Sequence, residues 1–478
     1  MESIWTENIS LPQREPLHED IRVDVAVIGA GMAGLLTACL LQEKGIRAVV
    51  IDGERTAGGV TRNTTAKITS QHDLIYKKLI DSFGKEKASQ YAQANQKAIQ
   101  KYAEIIQKKN IDCSFERKSA YAYTLEDPDG IQDEIAAAQS LGIQADFTTD
   151  VKIPFKVKGA EVFPDQAQFH PLQFIRAIAE GLNIYEHTWA RSVEKNEIIT
   201  DQGKIIADAI VVATHYPFVN APGYYFMKVH QERSYVLALE NAMQTNGMYK
   251  GIDPDGYSFR NYGNILLLGG GAHRTGENTA GGKYTQLRRM AGNWFPQAAE
   301  KAFWSAQDCM TVDDVPYIGR YSIATPDMYV ATGFKKWGMT GSMVSAMILS
   351  DMIAGEKNDF EDVFSPQRMD IAASAKTFLQ NTAEVLSGLA SEIFEIPGEK
   401  ISGIKNGEGG IVEHEGHKAG VYKEESGEVH IVSTKCAHMG CQLEWNPDEK
   451  SWDCPCHGSR FDYRGDVINN PAMKAIKP

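Results

Sequence analysis

The sequence predicts a large α/β domain built on a parallel sheet, followed by a small all-β domain. In residues 23–52, a buried apolar run, a glycine turn, a helix and a second apolar run follow one another, which is the pattern of a βαβ unit. Two later apolar runs, 207–215 and 328–334, supply further strands. After Pro397 the sequence changes to short strands, glycines and turns, which is typical of a β domain. The expected fold class is therefore α/β plus small all-β.

Length and composition bound the class of protein. At 478 residues the chain has room for roughly three domains. Its net charge of −13, from 49 basic and 62 acidic residues, argues against nucleic acid as a partner, because binding it needs a basic face. The N-terminus lacks the pattern of a secretory signal, and the most apolar stretch, 23–41, is interrupted by glycines, so we expect no membrane span. Scattered cysteines are typical of buried thiols in a cytosolic protein, and we expect a cytoplasmic location, free or peripheral to a membrane.

Changes in composition give the expected domain boundaries. The first domain should span residues 1–355, with a β-rich substrate subdomain inserted at roughly 111–160 and 217–310. A helical linker should follow over 356–396, where apolar residues from Phe378 to Leu389 recur at helical spacing and would pack on a neighbouring domain. The small β domain should span 397–478. Within the first domain we also expect helices near 284–302 and from about 340 to 353.

The glycine turn carries a nucleotide-binding signature. It has the form G-x-G-x-x-G, follows a predicted strand and opens a predicted helix. The glycines let the backbone approach a pyrophosphate, whose charge then lies at the helix N-terminus. An acid at the end of the second strand is placed to hydrogen-bond the ribose hydroxyls. The candidate residues are Gly29, Ala30, Gly31, Met32, Ala33, Gly34 and Asp52.

Three further segments carry a family resemblance. ERTAGGVTRNTTAKITSQ follows Asp52, and DDVPYIG and ATGFKKWGMTGS lie at 313–319 and 331–342. Together with the VVAT strand, they resemble the flavoprotein family typified by D-amino-acid oxidase, and the chain start is similar to its γ-glutamylputrescine oxidase branch. The resemblance implies a Rossmann-type domain that binds FAD non-covalently, and oxidation of an amine or amino acid. It places these residues along FAD: Gly58, Gly59, Thr61, Gly338, Met339 and Thr340. Lys67 and Trp337 should approach the flavin ring, without an assigned catalytic role.

The C-terminal domain contains a cluster of cysteines and histidines. Cys436 and His438 form C-x-H, and Cys454 and His457 form C-x-x-H after fifteen intervening residues. Zinc fingers pair two cysteines at one end and two histidines at the other, whereas here each half supplies one of each. A binuclear iron–sulfur site needs this set, with two thiolates on one iron and two imidazoles on the other. Zinc remains the alternative.

CAHMGC and CPCHGS, with the surrounding residues 397–478, closely resemble a Rieske protein. The resemblance implies a [2Fe–2S] cluster with Cys436 and Cys454 on one iron and His438 and His457 on the other. It also implies a disulfide between Cys441 and Cys456. Ser459 should donate a hydrogen bond to a cluster sulfur, and Phe461 stands where respiratory members have tyrosine, which predicts a lower potential.

Two redox cofactors in one chain predict an electron-transfer enzyme. FAD would oxidise the C–N bond of an amine or amino acid, and the cluster would relay electrons to a one-electron carrier or quinone. One alternative is a reductase component that takes electrons from NAD(P)H and feeds a separate oxygenase or carrier. It would need a second dinucleotide fingerprint, and residues 268–276 (LGGGAHRTG) favour a glycine-rich strand end instead. The other alternative is a redox-sensing or docking protein.

Overall fold

The structure is a computed structural model that describes residues 2–368, the N-terminal part, and residues 400–478, the C-terminal domain. The predicted linker helix through Phe378 and Leu389 lies outside the described residues. The helices are α1 Met32–Glu43, α2 Tyr76–Lys108, α3 Asp129–Ser140, α4 Pro171–Ile178, α5 Lys283–Trp294, α6 Gly338–Ile353 and α7 Glu361–Phe364. None of these described helices combines the length and apolar character needed to cross a membrane.

The N-terminal part contains seventeen described strands in two sheets. They are β1 Ile21–Ile28, β2 Ala48–Ile51, β3 Lys67–Ile68, β4 Glu116–Thr124, β5 Asp146–Thr148, β6 Gly159–Gln168, β7 Asn183–Tyr185, β8 Ala190–Glu194, β9 Glu197–Thr200, β10 Lys204–Val212, β11 Val229–Glu240, β12 Gly247–Gly251, β13 Ser258–Tyr262, β14 Ile265–Arg274, β15 Ala299–Thr311, β16 Tyr317–Ser322 and β17 Thr325–Thr332.

The first sheet has the order β16-β17-β10-β1-β2-β7, with β8 and β9 attached beside β10. The pairings from β17 to β7 are parallel, and Ile28 at the end of β1 lies beside Val212 at the end of β10. The chain continues from β1 to β2 on one side of this pair and from β10 to β17 on the other side. Ligands of open α/β sheets bind outside the strand ends at such a switch point. Helices α1 and α6 pack against each other on this sheet.

The second sheet lies over those strand ends and has the order β15-β11-β14-β13-β12-β4-β6-β3, with β5 on β6. One expectation here is wrong. The helix predicted near 284–302 ends at Trp294, and residues 299–311 form β15, which pairs with β11 along its length. The physical reason is Pro296, because a residue that precedes proline is disfavoured in the helical region. The α6 prediction is confirmed, with a start two residues early at Gly338.

The C-terminal domain contains two small antiparallel sheets around a core of aromatic residues. Its strands are β18 Gly409–His414, β19 His417–Lys423, β20 Val429–Ser433, β21 Glu444–Asn446, β22 Ser451–Asp453, β23 Arg460–Asp462 and β24 Val467–Asn469. We call residues 436–441, between β20 and β21, the first loop, and residues 454–459, between β22 and β23, the second loop. Trp452 and Phe461 are fully buried beside their cysteines. The predicted fold class, α/β plus small all-β, is confirmed.

Candidate cofactor sites and the contact between them

A cavity of about 390 Å³ lies between the ends of β1 and β10 and the second sheet. Most of the residues predicted to bind FAD line it: Gly29, Gly31, Met32, Ala33, Asp52, Gly58, Gly59, Thr61, Gly338 and Met339. Ala30, Gly34 and Thr340 lie behind the wall. The cavity therefore gathers the glycine turn and the start of α6, which are 300 residues apart in the chain, into one site.

The glycines of the turn serve two purposes. At Gly29 φ is +112°, and a Cβ there would lie 2.5 Å from the Ala213 carbonyl oxygen, while a Cβ at Gly34 would collide with the Gly29 carbonyl. These two glycines let β1, β10 and α1 approach one another. Gly31 instead faces the cavity, where a Cβ would occupy space beside Thr61 Oγ1. An open glycine at the N-terminus of α1 is the cradle that a pyrophosphate requires.

The Asp52 carboxylate hydrogen-bonds the backbone of the glycine turn. Its Oδ2 accepts a hydrogen bond of 2.7 Å from the Ala30 N–H, and its Oδ1 accepts one of 2.9 Å from the Glu54 N–H. Burial raises the pKa of Asp52, although these two bonds oppose the shift. The carboxylate lines the cavity, and its predicted contact with the ribose stays a prediction.

The start of α6 offers hydrogen-bond donors to the other end of the cavity. The first N–H groups of a helix have no acceptor within it, and those of Gly338 and Met339 lie at the cavity wall. The neighbouring Trp337 Nε1 is buried without a partner among the described residues. The Thr340 hydroxyl is engaged elsewhere, because it donates to the Thr69 carbonyl at 3.0 Å. These donors fit the polar edge of a flavin ring.

Four lysines line this end of the cavity, and one of them, Lys335, is paired with Asp314. Lys67 Nζ donates to the Tyr249 carbonyl at 3.1 Å, and Lys250 Nζ donates to the Gly251 carbonyl at 2.7 Å. Burial lowers the pKa of both, that of Lys67 to about 7. Lys336 differs, because it forms ion pairs with two carboxylates of the second sheet. Lys250 was missed from the sequence, since a single lysine in a strand carries no spacing signal.

The predicted cluster ligands come together as a pair of thiols and a pair of imidazoles. The Cys436 and Cys454 thiols hydrogen-bond each other, and the rings of His438 and His457 lie 4.9 Å apart, nearly perpendicular. Nδ1 of each histidine is buried without a partner among the described residues. Among the described residues, three or more possible metal-ligand atoms lie within 4.8 Å of one another in two places. Neither group contains both one of the two predicted cysteine ligands and one of the two predicted histidine ligands. This split fits a binuclear cluster better than a single zinc ion.

The surroundings keep the two imidazoles neutral and make Cys436 the more acidic of the two thiols, whereas the hydrogen bond with Cys436 and burial raise the pKa of Cys454. Burial lowers the pKa of His438 to about 4 and that of His457 to about 3, so both imidazoles are neutral. The hydrogen bond with Cys454 and a further one from the Ser459 hydroxyl help to lower the pKa of Cys436 to about 7. Ser459 Oγ also accepts from the Ala472 N–H at 3.0 Å. A disulfide joins Cys441 to Cys456 and thereby ties the two loops together.

The second loop is fixed against the N-terminal part through its backbone. Arg274 of β14 donates to the carbonyls of Pro455 and Cys456. Gln231 of β11 donates to the His457 carbonyl at 2.9 Å, and Gln307 of β15 donates to the Gly458 carbonyl at 2.7 Å. Four consecutive carbonyls of the loop therefore accept hydrogen bonds from three neighbouring strands of one sheet.

A buried charge network continues this contact. Glu449 of the C-terminal domain lies between Arg233 of β11 and Arg460 of β23, and all three side chains are 4% exposed. Ser305 of β15 donates to the same carboxylate at 2.7 Å. Burial alone would raise the pKa of Glu449, but the two guanidinium groups outweigh it and hold the pKa at about 2. The Arg233–Glu449 ion pair therefore joins the two domains, and Arg460 holds Glu449 in place from its own domain.

The C-terminal domain also supplies part of the cavity wall. Ile468, Asn469, Asn470 and Met473 line the cavity beside the glycine turn. The Asn470 carboxamide donates to the carbonyls of Thr214 and Tyr216, just after β10, at 2.9 and 2.8 Å. The two candidate cofactor sites therefore share a wall.

Comparison with known proteins agrees with both sites. The FAD dependent oxidoreductase family matches residues 24–352, and the Rieske [2Fe-2S] domain matches residues 397–478. A putative Rieske 2Fe-2S iron-sulfur protein, YhfW of Bacillus subtilis, is 38% identical over 493 aligned residues. The alignment covers 100% of this chain and 97% of the YhfW chain.

Two solved structures share the fold of the N-terminal part. Glycine oxidase from Geobacillus kaustophilus has a TM-score of 0.60 at 18% identity and covers 73% of this chain and 99% of its own. L-amino acid deaminase from Proteus vulgaris, without its specific insertion, has a TM-score of 0.61 at 18% identity, covering 76% and 98%. The chain thus belongs to the FAD-dependent oxidoreductase family typified by D-amino-acid oxidase, carries a C-terminal Rieske domain, and is an enzyme that uses FAD and a [2Fe–2S] cluster.

Proposed function

We propose that this enzyme is a dehydrogenase that oxidises the C–N bond of an amino acid or amine and releases the electrons through its Rieske cluster. When bound, FAD would serve as the hydride acceptor, and the cluster would serve as the carrier of single electrons. The observation that carries the proposal is the docking of the second loop, with His457, against the wall of the FAD cavity. Such docking gives the electrons a way out of the cavity through the protein.

The residues would have the following roles. Cys436 and Cys454 would hold one iron as thiolates, and His438 and His457 would hold the other through their partnerless Nδ1 atoms. The Gly29–Gly34 turn and the segment of Gly58, Gly59 and Thr61 would hold the pyrophosphate side of FAD. The donors at the start of α6 would bind the flavin ring.

Two half-buried lysines of the cavity favour a substrate that carries a carboxylate. Lys67 and Lys250 line the cavity, and among the described residues neither forms an ion pair. Buried cations are normally paired, so an anionic substrate group would supply the missing charge. An amino acid meets this need, and an amine without a carboxylate does not. The names of the solved relatives, which act on glycine and L-amino acids, agree with this choice.

The overall reaction balances with a named acceptor. Oxidation of the C–N bond to an imine removes two electrons and two protons from the substrate, and water then hydrolyses the imine to a carbonyl compound and ammonia or an amine. Two equivalents of a one-electron carrier protein take up the electrons, or one quinone takes up both electrons and two protons. We further expect a cytoplasmic location, consistent with the buried free thiols of Cys39, Cys113 and Cys309.

The test is anaerobic addition of amino acids and amines to the loaded enzyme, with the flavin followed by absorbance and the cluster by EPR. We expect the flavin to bleach and the cluster signal of the reduced state to appear with the correct substrate. A flavin that bleaches while the cluster stays oxidised would refute the relay. Oxidation of NAD(P)H instead would favour the reductase alternative, although residues 268–274 lie in strand β14 and not in a glycine turn before a helix.

A matched pair of substrates tests the carboxylate. Lys250→Met should raise KM for an amino acid by roughly 10- to 100-fold, because a hydrogen bond to a charged group contributes about 1.5–3 kcal/mol. KM for the amine that lacks only the carboxylate should change much less. An equal rise for both substrates would contradict the assignment of Lys250 to the carboxylate.

A further inference from the structure

One side chain of the FAD cavity reaches towards the Rieske cluster. His215 follows β10 and lines the cavity, with its backbone in the left-handed region at φ +66°. This conformation is uncommon for a residue other than glycine, and such residues cluster at functional sites. The Thr332 hydroxyl donates to the His215 carbonyl at 2.6 Å and helps to hold it there. Its Nε2 is buried without a well-formed hydrogen bond to the described residues.

Gln231 lies between His215 and the cluster. The Gln231 carboxamide lies near enough to the His215 ring to raise its pKa, against the larger lowering by burial. His215 Nε2 and Gln231 Oε1 are both buried without a hydrogen-bond partner among the described residues. The Nε2 of Gln231 donates to the carbonyls of His457 and of Asn470, the latter a cavity residue, at 2.9 and 3.1 Å. Gly458 also packs tightly on it, since a Cβ at Gly458 would lie 2.5 Å from Gln231 Cβ. A single carboxamide therefore lies beside His215 and donates both to the cavity residue Asn470 and to the backbone of a predicted cluster ligand.

We propose that His215 and Gln231 form the electron bridge between the FAD cavity and the cluster, entering the cluster through His457. The proposal rests on the proposed function and specifies its internal route. The bridge has a fixed length, because the backbone of the second loop is bonded to β11, β14 and β15 and cannot swing away while those bonds hold. Electron transfer would then need no domain movement.

The transfer balances as two one-electron steps. In each step, one electron would pass from the cavity to the oxidised cluster, and the external one-electron carrier or quinone would reoxidise the cluster before the next. The two protons released from the reduced cofactor leave to solvent or to the quinone. His215 and Gln231 gain and lose no atoms, so they act as a pathway and not as reactants.

The experiment compares two glutamines that hold the same loop. Gln231→Leu removes the bridge, whereas Gln307→Leu removes a bond to the neighbouring Gly458 carbonyl and one from Arg233. The two glutamines are equally buried, and neither lines the cavity. The bound FAD is reduced anaerobically by a light flash with a sacrificial electron donor such as EDTA in place of substrate, and the arrival of the electron is followed at the cluster. We expect Gln231→Leu to slow the transfer about tenfold or more, the scale on which partners of metal ligands act, and Gln307→Leu to leave it unchanged.

A second variant tests the cavity end of the bridge. His215→Asn keeps a residue that tolerates positive φ and removes the ring, so it should slow the same step. The double variant H215N/Q231L should be no slower than the slower single variant, because both residues lie on one route. FAD content and the EPR spectrum of each variant show whether both sites remain intact.

The outcomes separate the two proposals. A wild-type cluster that stays oxidised after the flash would refute the relay itself. A wild-type cluster that is reduced, with the Gln231 and His215 variants as fast as wild type, would keep the relay and refute the bridge. Equal slowing by Gln231→Leu and Gln307→Leu would also refute the bridge, because it would show that only the position of the loop matters.

Discussion

The two ligand loops of the Rieske domain supply equivalent residues but have different surroundings. The second loop is buried, and four of its carbonyls accept hydrogen bonds from the N-terminal part. Among the described residues, the first loop receives one side-chain bond from that part, between Asn220 Oδ1 and His438 Nε2 at 3.0 Å. Ala437 and Met439 are exposed, Met439 at 40%. The second loop is packed against the N-terminal part, and the first loop is exposed to solvent at Ala437 and Met439.

This difference gives the cluster two distinct sides. His457 lies 1% exposed against the bridge to the FAD cavity. His438 is half-buried, and the exposed Met439 follows it directly. Under the proposed function, electrons enter at the second loop, and an external carrier or quinone approaches the first. The predictions below change each contact in turn, from the largest expected effect to the smallest.

Glu449→Gln should weaken the docking of the second loop most. It leaves Arg233 and Arg460 buried with one fewer negative charge, and breaking a buried ion pair in this way costs about 3–5 kcal/mol. We expect the C-terminal domain to unfold well before the N-terminal part in a thermal scan. The control is Asp448→Asn, because Asp448 also contacts the N-terminal part but accepts only neutral hydrogen bonds there. Equal effects of both variants would contradict a special role of the charge network.

The same network predicts how the docking depends on pH. The pKa of Glu449 is about 2 in the folded enzyme and lies below its ordinary value of 4.5. Its stabilising contribution is therefore complete above pH 4.5 and is lost as the pH falls towards 2. The difference in stability between wild type and Glu449→Gln should shrink over that acidic range. A difference that is constant from neutral pH down to pH 3 would contradict the depressed pKa.

Removal of the disulfide should affect the first loop more than the second. The Cys441→Ala/Cys456→Ala variant loses a link across 15 residues, worth about 3 kcal/mol in the chain-entropy estimate. The second loop keeps its bonds to β11, β14 and β15, whereas the first loop keeps the contact through Asn220. Hydrogen exchange measured by mass spectrometry should therefore rise in residues 436–441 and stay low in 454–459. Equal increases in hydrogen exchange in both loops would contradict the proposed difference in how firmly the two loops are held.

The cofactor sites were predictable from sequence because their chemistry fixes short spacings. The Gly29–Gly34 turn needs glycines at three positions, and the cluster needs Cys436 and His438 two residues apart. Such constraints act within a few residues, so they are visible in one sequence. The fold class, the family and both cofactors were predicted and are confirmed by the match to residues 24–352 and 397–478.

The contact between the two sites was not predictable in the same way. Gln231, Gln307 and Arg274 lie on three separate strands, and each is an ordinary polar residue in its own segment. They meet the second loop only because β11, β14 and β15 are adjacent in the sheet. The helix expected near 284–302 would have included residues 299–302, which instead begin strand β15, the strand that carries Gln307. Tertiary pairing decided both the structure and the role of these residues.

Asn220→Ala tests the outward side of the cluster. The variant removes the single described side-chain bond to the first loop, and a hydrogen bond of this kind contributes about 0.5–1.5 kcal/mol. We expect a small loss of thermal stability and an unchanged rate of flavin-to-cluster transfer after the light flash, because the bridge enters through His457. The transfer of electrons from the cluster to an added carrier protein should be the step that changes. A slowed flavin-to-cluster step in this variant would place the entry at the first loop instead.

Phe461→Tyr tests the environment that both loops share. Phe461 is fully buried in β23 and belongs to the same core as Cys436 and Cys454. A tyrosine hydroxyl at this position has to find a partner, because an unsatisfied buried hydroxyl is costly, and the cluster sulfurs are the nearby acceptors in the proposed site. A hydrogen bond that is stronger to the reduced cluster by about 1 kcal/mol would raise the one-electron potential by about 40 mV. An EPR-monitored redox titration measures this shift directly. A shift in potential with unchanged docking would show that the potential of the cluster is set separately from its route of electron entry.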